Sequence, residues 1–141
     1  MKKIFAILFI TATILFSSNL KTEEKIYNLI IHALLPHKKE VKVWGDTQHN
    51  QKVLRTIPNT VFVDSPKEAD FLLLNSKEHI ANNKGIIFIT NFKLLEKMHK
   101  KAIGGFFWQK GRPNILFLRQ NLKKRNITLP KSMQDYIEDE I

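Results

Sequence analysis

Two short runs of the sequence consist only of apolar residues and constrain the fold more than any other feature. Phe71–Leu74 and Ile86–Ile89 contain no polar position that could face water, which is typical of strands buried on both faces of a sheet. Segments with strand patterning alternate with segments with helix patterning around them, and the connections are short. Because such alternation produces parallel sheets covered by helices, we predict one layered α/β domain with a mostly parallel sheet.

The remaining elements follow from periodicity and from capping residues. Apolar residues recur at helical spacing between Ile26 and Leu34 and predict a first helix over Glu23–Leu35. The other predicted helices are Gln48–Thr56, a very short one opened by Ser65-Pro66, Ser76–Ala81, Phe92–Lys101 with Asn91 as its cap, Arg119–Arg125 and Lys131–Glu140. The other predicted strands are Glu40–Trp44, Thr60–Val63, Gly105–Gln109 and Asn114–Leu118, with a further extended stretch at Ile127–Leu129.

An antiparallel hairpin is predicted near the C-terminus. The strands Gly105–Gln109 and Asn114–Leu118 are separated only by Lys110-Gly111-Arg112-Pro113. Glycine and proline this close together are typical of a tight turn. The hairpin would follow the parallel strands directly and would add antiparallel strands to the same sheet.

The first residues have the three parts of a secretory signal. A basic start at Lys2-Lys3 precedes the uncharged run Ile4–Phe16, and the small polar residues Ser17–Asn19 follow. The uncharged run is shorter than the roughly 20 apolar residues that a membrane-spanning helix needs. We therefore predict a signal peptide over 1–19, a periplasmic location and a single domain over 20–141. An uncleaved anchor in the inner membrane is the alternative.

The sequence offers no recognisable catalytic or metal-binding motif. It contains no cysteine, which excludes a disulfide framework, a thiolate metal site and a cysteine nucleophile. No two of the five histidines have the spacing of a local metal motif, and GxSxG, P-loop and GxGxxG patterns are absent. We therefore expect a protein that is not an enzyme and that needs neither a metal nor another cofactor.

Basic residues are concentrated in the last third of the chain. The net charge is +10, and the segment from Lys93 to Arg125 holds ten basic residues and the single acid Glu96. Nucleic acid is not the expected partner, because export removes the protein from the cytoplasm and Lys greatly outnumbers Arg. We instead predict a solvated basic face that meets an acidic protein partner or anionic lipid headgroups. Its candidate residues are Phe107, Trp108, Arg112, Lys97 and Lys101.

A pocket for a small ligand is the alternative use of this fold. In an α/β sheet, ligands bind beyond the carboxyl ends of the strands. Trp44, Asp46 and Asp64 lie at or just after predicted strand ends. Together they would line a pocket for an anionic or aromatic metabolite, although both carboxylates could equally serve as helix caps.

Several short motifs carry a resemblance to a known family. They are Trp44-Gly45-Asp46, Glu68-Ala69-Asp70 before Phe71–Leu74, Ile86–Thr90, Gly104-Gly105, Gly111-Arg112, Asn114–Phe117, Asn121-Leu122 and Ile127–Leu129. On these segments the chain resembles the YfiR-like family of small periplasmic proteins over most of the predicted domain. The resemblance implies an α/β domain, often dimeric, that represses a membrane-bound diguanylate cyclase by binding its periplasmic sensor domain. It thus implies that cyclase domain as the partner, with a homodimer as a further expectation.

Overall fold

The structure is a computed structural model and describes residues 20–76 and 84–141. Helix α1 covers residues 20–34, and the other helices are α2 (Gln48–Arg55), α3 (Phe92–Lys97) and α4 (Arg119–Lys124). The strands are β1 (Val41–Gly45), β2 (Thr60–Phe62), β3 (Phe71–Leu74), β4 (Ile86–Ile89), β5 (Gly104–Gln109), β6 (Arg112–Leu118) and β7 (Ile137–Glu138). Short 3-10 helices lie at Pro66–Glu68 and Lys131–Tyr136.

The strands of the described residues form one sheet in the order β2-β1-β3-β4-β5-β6-β7. Strands β1 to β5 are parallel to one another, β6 pairs antiparallel with β5, and β7 pairs parallel with β6. The prediction of a mostly parallel α/β sheet with an antiparallel hairpin near the C-terminus is confirmed. The order 2-1-3-4-5 of the parallel strands is that of the flavodoxin-like arrangement.

Each face of the sheet has its own hydrophobic core. Phe71 and Leu73 of β3 join a cluster that includes residues of α1, α2 and α4, whereas Leu72 and Leu74 join a cluster with Leu94 and Leu95 of α3. Successive residues of a strand point to opposite faces, so a strand between two covered faces needs an apolar residue at every position. The two apolar runs of the sequence are therefore explained.

Most of the predicted helices and strands are present, with small shifts at their ends. Asn91 caps α3 as its position before the apolar residues suggested, since its side chain accepts from the backbone N–H groups of Lys93 and Leu94. Helix α3 ends at Lys97, four residues before the predicted end. The predicted signal over 1–19 and most of the helix predicted at Ser76–Ala81 lie outside the described residues.

The hairpin turn is shorter than predicted. Lys110 and Gly111 form the whole turn with positive φ angles of 51° and 75°, as in the two-residue turns that match the twist of paired strands. Arg112 and Pro113 belong to β6, opposite Gln109 and Trp108. In the described part of the chain β7 pairs only with the far end of β6, so Pro113 lies on an open edge that tolerates a missing N–H.

The predicted C-terminal helix over Lys131–Glu140 is wrong. Its first part is a 3-10 helix, and Ile137 pairs with Phe117 at the edge of the sheet. Ile127–Leu129, predicted to be extended, is not part of the described sheet, and the turn that ends α4 lies just before it. There Asn126 has a φ of 56°, and the N–H groups of Asn126 and Ile127 bond to the carbonyls of Lys123 and Leu122. This pattern is the Schellman motif that ends helices.

None of the helices in the described ranges has the length and apolar character needed to cross a bilayer.

Candidate functional site

The strand order places a crevice at one end of the sheet. From β1 the chain moves to β2 on one side, whereas β3, β4 and β5 follow on the other side. In sheets of this kind the connections diverge at the point of reversal and leave a ligand crevice beyond the carboxyl ends of the strands. Asp46, Asn75 and Thr90 directly follow β1, β3 and β4 at this edge.

Asp46 organises the backbone of the crevice. Its carboxylate accepts hydrogen bonds from the backbone N–H of Asn75 at 2.9 and 3.0 Å and from that of Ser76 at 2.9 Å. It also accepts from the Asn50 amide at 3.3 Å, and this amide donates to the carbonyl of Leu73 as well. Asp46 therefore fixes the loop after β3, and the cap of α2 is Thr47 instead.

The three residues predicted to line a ligand pocket are not brought together in one cavity. The ring of Trp44 is buried in the core beneath α3, and Asp64 is exposed after β2. Asp46 has the structural role described above. None of the three is among the described residues that line the cavity at this edge.

The cavity at the carboxyl edge has a volume of about 360 Å³. It lies between α1, the start of α2 and the ends of β3, β4 and β5. Its walls combine aromatic rings with hydroxyl, amide, imidazole and carboxylate groups. The lining residues are Glu23, Tyr27, Thr47, His49, Asn50, Asn75, Thr90, Phe106, Phe107 and Trp108.

A buried carboxylate joins three elements at this cavity. Glu23 of α1 is only 7% exposed. Its Oε1 accepts a hydrogen bond from the indole Nε1–H of Trp108 at 2.7 Å, and its Oε2 lies 2.8 Å from Nε2 of His49. The carboxylate thereby links α1 to α2 and to β5. Sequence reasoning missed this group because nothing local connects residues that lie 26 and 85 positions apart.

Aromatic rings form the wall next to Glu23. Tyr27 and Phe106 meet edge to face with centroids 5.4 Å apart, and Phe106 meets Trp108 in the same way at 5.7 Å. Burial raises the pKa of Tyr27 well above its ordinary value, and the negative charge of Glu23 raises it further. Tyr27 thus contributes a neutral phenol to the site.

The opposite wall offers polar groups. The hydroxyl of Thr90 donates to the side-chain oxygen of Asn75 at 2.9 Å. Within the described ranges the Asn75 amide nitrogen donates no hydrogen bond. Because Asn75 lines the cavity, this donor is available to a bound molecule.

A larger groove of about 750 Å³ lies at the amino edge of the sheet. Three of its charged side chains, those of Lys38, Asp70 and Arg125, have protein partners. Lys38 pairs with Asp70 at 2.9 Å, and the Arg125 guanidinium donates to the carbonyls of Lys84 and Gly85 at 3.1 and 2.8 Å. Burial lowers the pKa of Arg125. We regard the smaller cavity as the candidate site, because it lies where the strand order reverses and retains a donor for a ligand.

The residues predicted to contact a protein partner have different environments. The Phe107 side chain is only 9% exposed and meets Phe92 edge to face at 5.6 Å, so its ring offers little contact surface. Trp108 is half-buried and bonds to Glu23. Arg112, Lys97 and Lys101 are exposed. The hairpin end forms a polar surface with Gln109, Lys110, Arg112 and Asn114.

In the two described ranges no group of three or more His, Asp or Glu side chains is placed to hold a metal ion. Comparison of the chain with protein-family models and with curated proteins finds no match.

Proposed function

We propose that this protein is a small-ligand-binding protein that uses the cavity at the carboxyl edge of its sheet. The observation that carries this proposal is the composition of that cavity at the strand-order reversal. Aromatic rings and the Asn75 amide donor, which has no acceptor among the described residues, lie there beside a buried carboxylate. Ligand sites are typically concave, largely aromatic or apolar, and equipped with a few polar groups that fix orientation.

The size of the cavity limits the ligand. Sites for small molecules usually range from about 300 to 1,000 Å³, and this one, at about 360 Å³, is near the lower end. A compact metabolite therefore suits it better than a dinucleotide. The proposed site also differs from the pocket around Trp44 and Asp64 that the sequence suggested, because those side chains lie elsewhere.

A thermal-shift screen of the purified protein against compact metabolites tests this function. A ligand at 100 times its Kd stabilises the folded state by about 2.7 kcal/mol, which raises the Tm of a domain of this size by several degrees. For any compound that binds, we expect Asn75→Ala to reduce the shift. Gln109→Ala at the exposed hairpin should leave it unchanged. The proposal would be contradicted if no compound changed the Tm. It would also be contradicted if a compound shifted the Tm of the Asn75→Ala variant as much as that of the wild type.

We also propose a second candidate function, the repression of a membrane diguanylate cyclase through its periplasmic domain. The exposed basic groups at the hairpin end support it, since Lys110 lies in the tight turn and Arg112 is the first residue of β6. Such groups steer association with an acidic protein surface. The resemblance to YfiR-like proteins points to the same role.

A deletion strain tests this second candidate. Loss of the gene is expected to raise cellular cyclic di-GMP, and complementation with Lys110→Glu/Arg112→Glu should restore repression poorly. The doubly charge-reversed variant Lys123→Glu/Lys124→Glu, on exposed positions of α4, is the matched control and should complement. Unchanged cyclic di-GMP after deletion would argue against cyclase regulation, whatever the cavity binds.

A further inference from the structure

The groove at the amino edge of the sheet carries an excess of positive charge. Four segments of the described chain border it: the end of α1 with the turn after it, the 3-10 helix before β3, the start of β4 and the turn after α4. With histidine counted as neutral, four cationic side chains and two carboxylates line the groove. These charged residues are Lys38, Lys67, Glu68, Asp70, Lys84 and Arg125.

The two carboxylates do not balance the four cations. One oxygen of Asp70 accepts from the ammonium of Lys38 at 2.9 Å, and the other accepts from the backbone N–H of Lys42 at 2.9 Å. This ion pair accounts for one charge of each sign. Glu68 is exposed, and its carboxylate makes no ion pair within the described ranges. Glu68 is therefore the single carboxylate that remains for the other three cations of the groove.

The guanidinium of Arg125 is held in place by neutral acceptors. It donates to the carbonyl of Lys84 at 3.1 Å and to that of Gly85 at 2.8 Å. Among the described residues it has no carboxylate partner. Because carbonyls carry no net charge, these bonds orient the guanidinium without cancelling its charge. Its other N–H groups can donate to the oxygens of a phosphate or carboxylate.

Lys67 and Lys84 add two further charges to the same groove. Both side chains line it, and neither ammonium has a partner in the described part of the chain. Like charges that lie near one another repel, and an anion bound between them relieves that repulsion. A phosphate group carries a charge of about −1.5 to −2 at neutral pH and offers several acceptor oxygens. It can therefore interact with an arginine and two lysines at once.

From these features we infer that the amino-edge groove binds a compact phosphorylated anion. Arg125 donates to the phosphate oxygens, and the ammonium groups of Lys67 and Lys84 supply further positive charge. The groove is concave and has a volume of about 750 Å³, which suits a soluble small molecule better than the headgroups of a flat bilayer. The site is separate from the carboxyl-edge cavity, so this inference does not depend on the proposed ligand-binding function.

Titration calorimetry with pyrophosphate as the probe tests the site, in about 0.15 M salt to screen long-range attraction to the net charge. We expect saturable binding by the wild type and about fivefold weaker binding by Lys67→Gln/Lys84→Gln. Glu68→Gln removes the opposing charge and should bind about twofold more tightly. The matched control is Lys52→Gln/Lys93→Gln, which removes the same charge at exposed positions outside the groove and should bind as the wild type does.

Two results of this titration would overturn the inference. One is a wild-type protein that shows no saturable binding of pyrophosphate. The other is a loss of affinity in Lys67→Gln/Lys84→Gln that is no greater than the loss in the control, because pyrophosphate would then respond only to the net charge. The wild-type titration does not depend on whether any variant folds.

Co-sedimentation with vesicles distinguishes a free phosphate group from that of a lipid. The probe is vesicles of phosphatidylglycerol and phosphatidylcholine in equal parts, and we expect Lys67→Gln/Lys84→Gln to sediment with them as the wild type does. If this variant loses sedimentation while the wild type binds no pyrophosphate, the groove contacts membranes and the inference is wrong. Asn75→Ala, in the carboxyl-edge cavity, should leave the affinity for pyrophosphate unchanged. Failure of this inference would therefore leave the proposed function standing.

Discussion

Replacement of Gly104 by alanine is expected to prevent folding or to lower the free energy of unfolding by about 3 kcal/mol or more. Gly104 lies inside the sheet, opposite Phe88 of β4 and Phe117 of β6. A Cβ at this position would collide with the carbonyl oxygen of Leu116 and lie 3.0 Å from the Cα of Phe117. These neighbours are backbone atoms held by strand pairing, so they cannot move aside as the end of a flexible side chain could.

Urea denaturation measures the free energy of unfolding of Gly104→Ala, with Gly111→Asn as the control variant. Gly111 has a φ of +75° in the hairpin turn, and nothing lies within 4 Å of a Cβ built there. Asparagine is among the residues that best tolerate this conformation, so we expect this variant to lose only about 1 kcal/mol. A Gly104→Ala protein with the wild-type midpoint would show that the strands around β5 separate far more easily than the packing indicates.

A second large loss of stability is expected for Asn121→Asp. Asn121 is 4% exposed, and its amide nitrogen donates to the carbonyls of His99 at 2.7 Å and of Ala102 at 2.6 Å. These bonds attach α4 to the segment between α3 and β5. A carboxylate would place negative charge against two carbonyl oxygens in a buried site, which we expect to cost about 3 kcal/mol or more at pH 8.

The loss in Asn121→Asp should depend on pH. Burial and the two carbonyls favour the protonated carboxyl, so its pKa in the folded state is raised above the unfolded value of about 3.9. The folded state then binds more protons, and its stability falls as the pH rises through the unfolded pKa towards the folded one. Chemical denaturation at pH 5 and pH 8 measures this difference. The control is Gln120→Glu, which also replaces an amide by a carboxylate, at an exposed neighbouring position. A penalty independent of pH would mean that the lost amide donor, and not the added charge, destabilises the variant.

Local sequence signals were sufficient to predict those elements whose structure depends only on neighbouring residues in the chain. The apolar runs of β3 and β4 predicted strands buried on both faces, because successive residues of a strand point to opposite faces of the sheet. Asn91 predicted the start of α3, because a cap acts within three residues. The C-terminal segment was misassigned because Ile137 pairs with Phe117 at the sheet edge, and such distant pairing overrides local propensity.

The site was harder to predict than the fold for the same physical reason. The alternation of strands and helices predicted a ligand site at the carboxyl edge of the sheet. Asp46 does lie at that edge. The groups that give the cavity its character come from α1, α2 and β5, and they meet only after the sheet has formed. Glu23 was visible in the sequence as an acidic residue in a helix, with no sign that Trp108 would bury and bond it.

The two outermost strands of the described sheet are very short, with three residues in β2 and two in β7. A long exposed edge strand is a template on which a second chain can add by backbone pairing, and short edges reduce that risk of aggregation. The remaining open edge, along the first half of β6, carries Arg112 and Pro113, residue types that discourage strand addition. The sheet is thus protected against growth into fibrils at both sides.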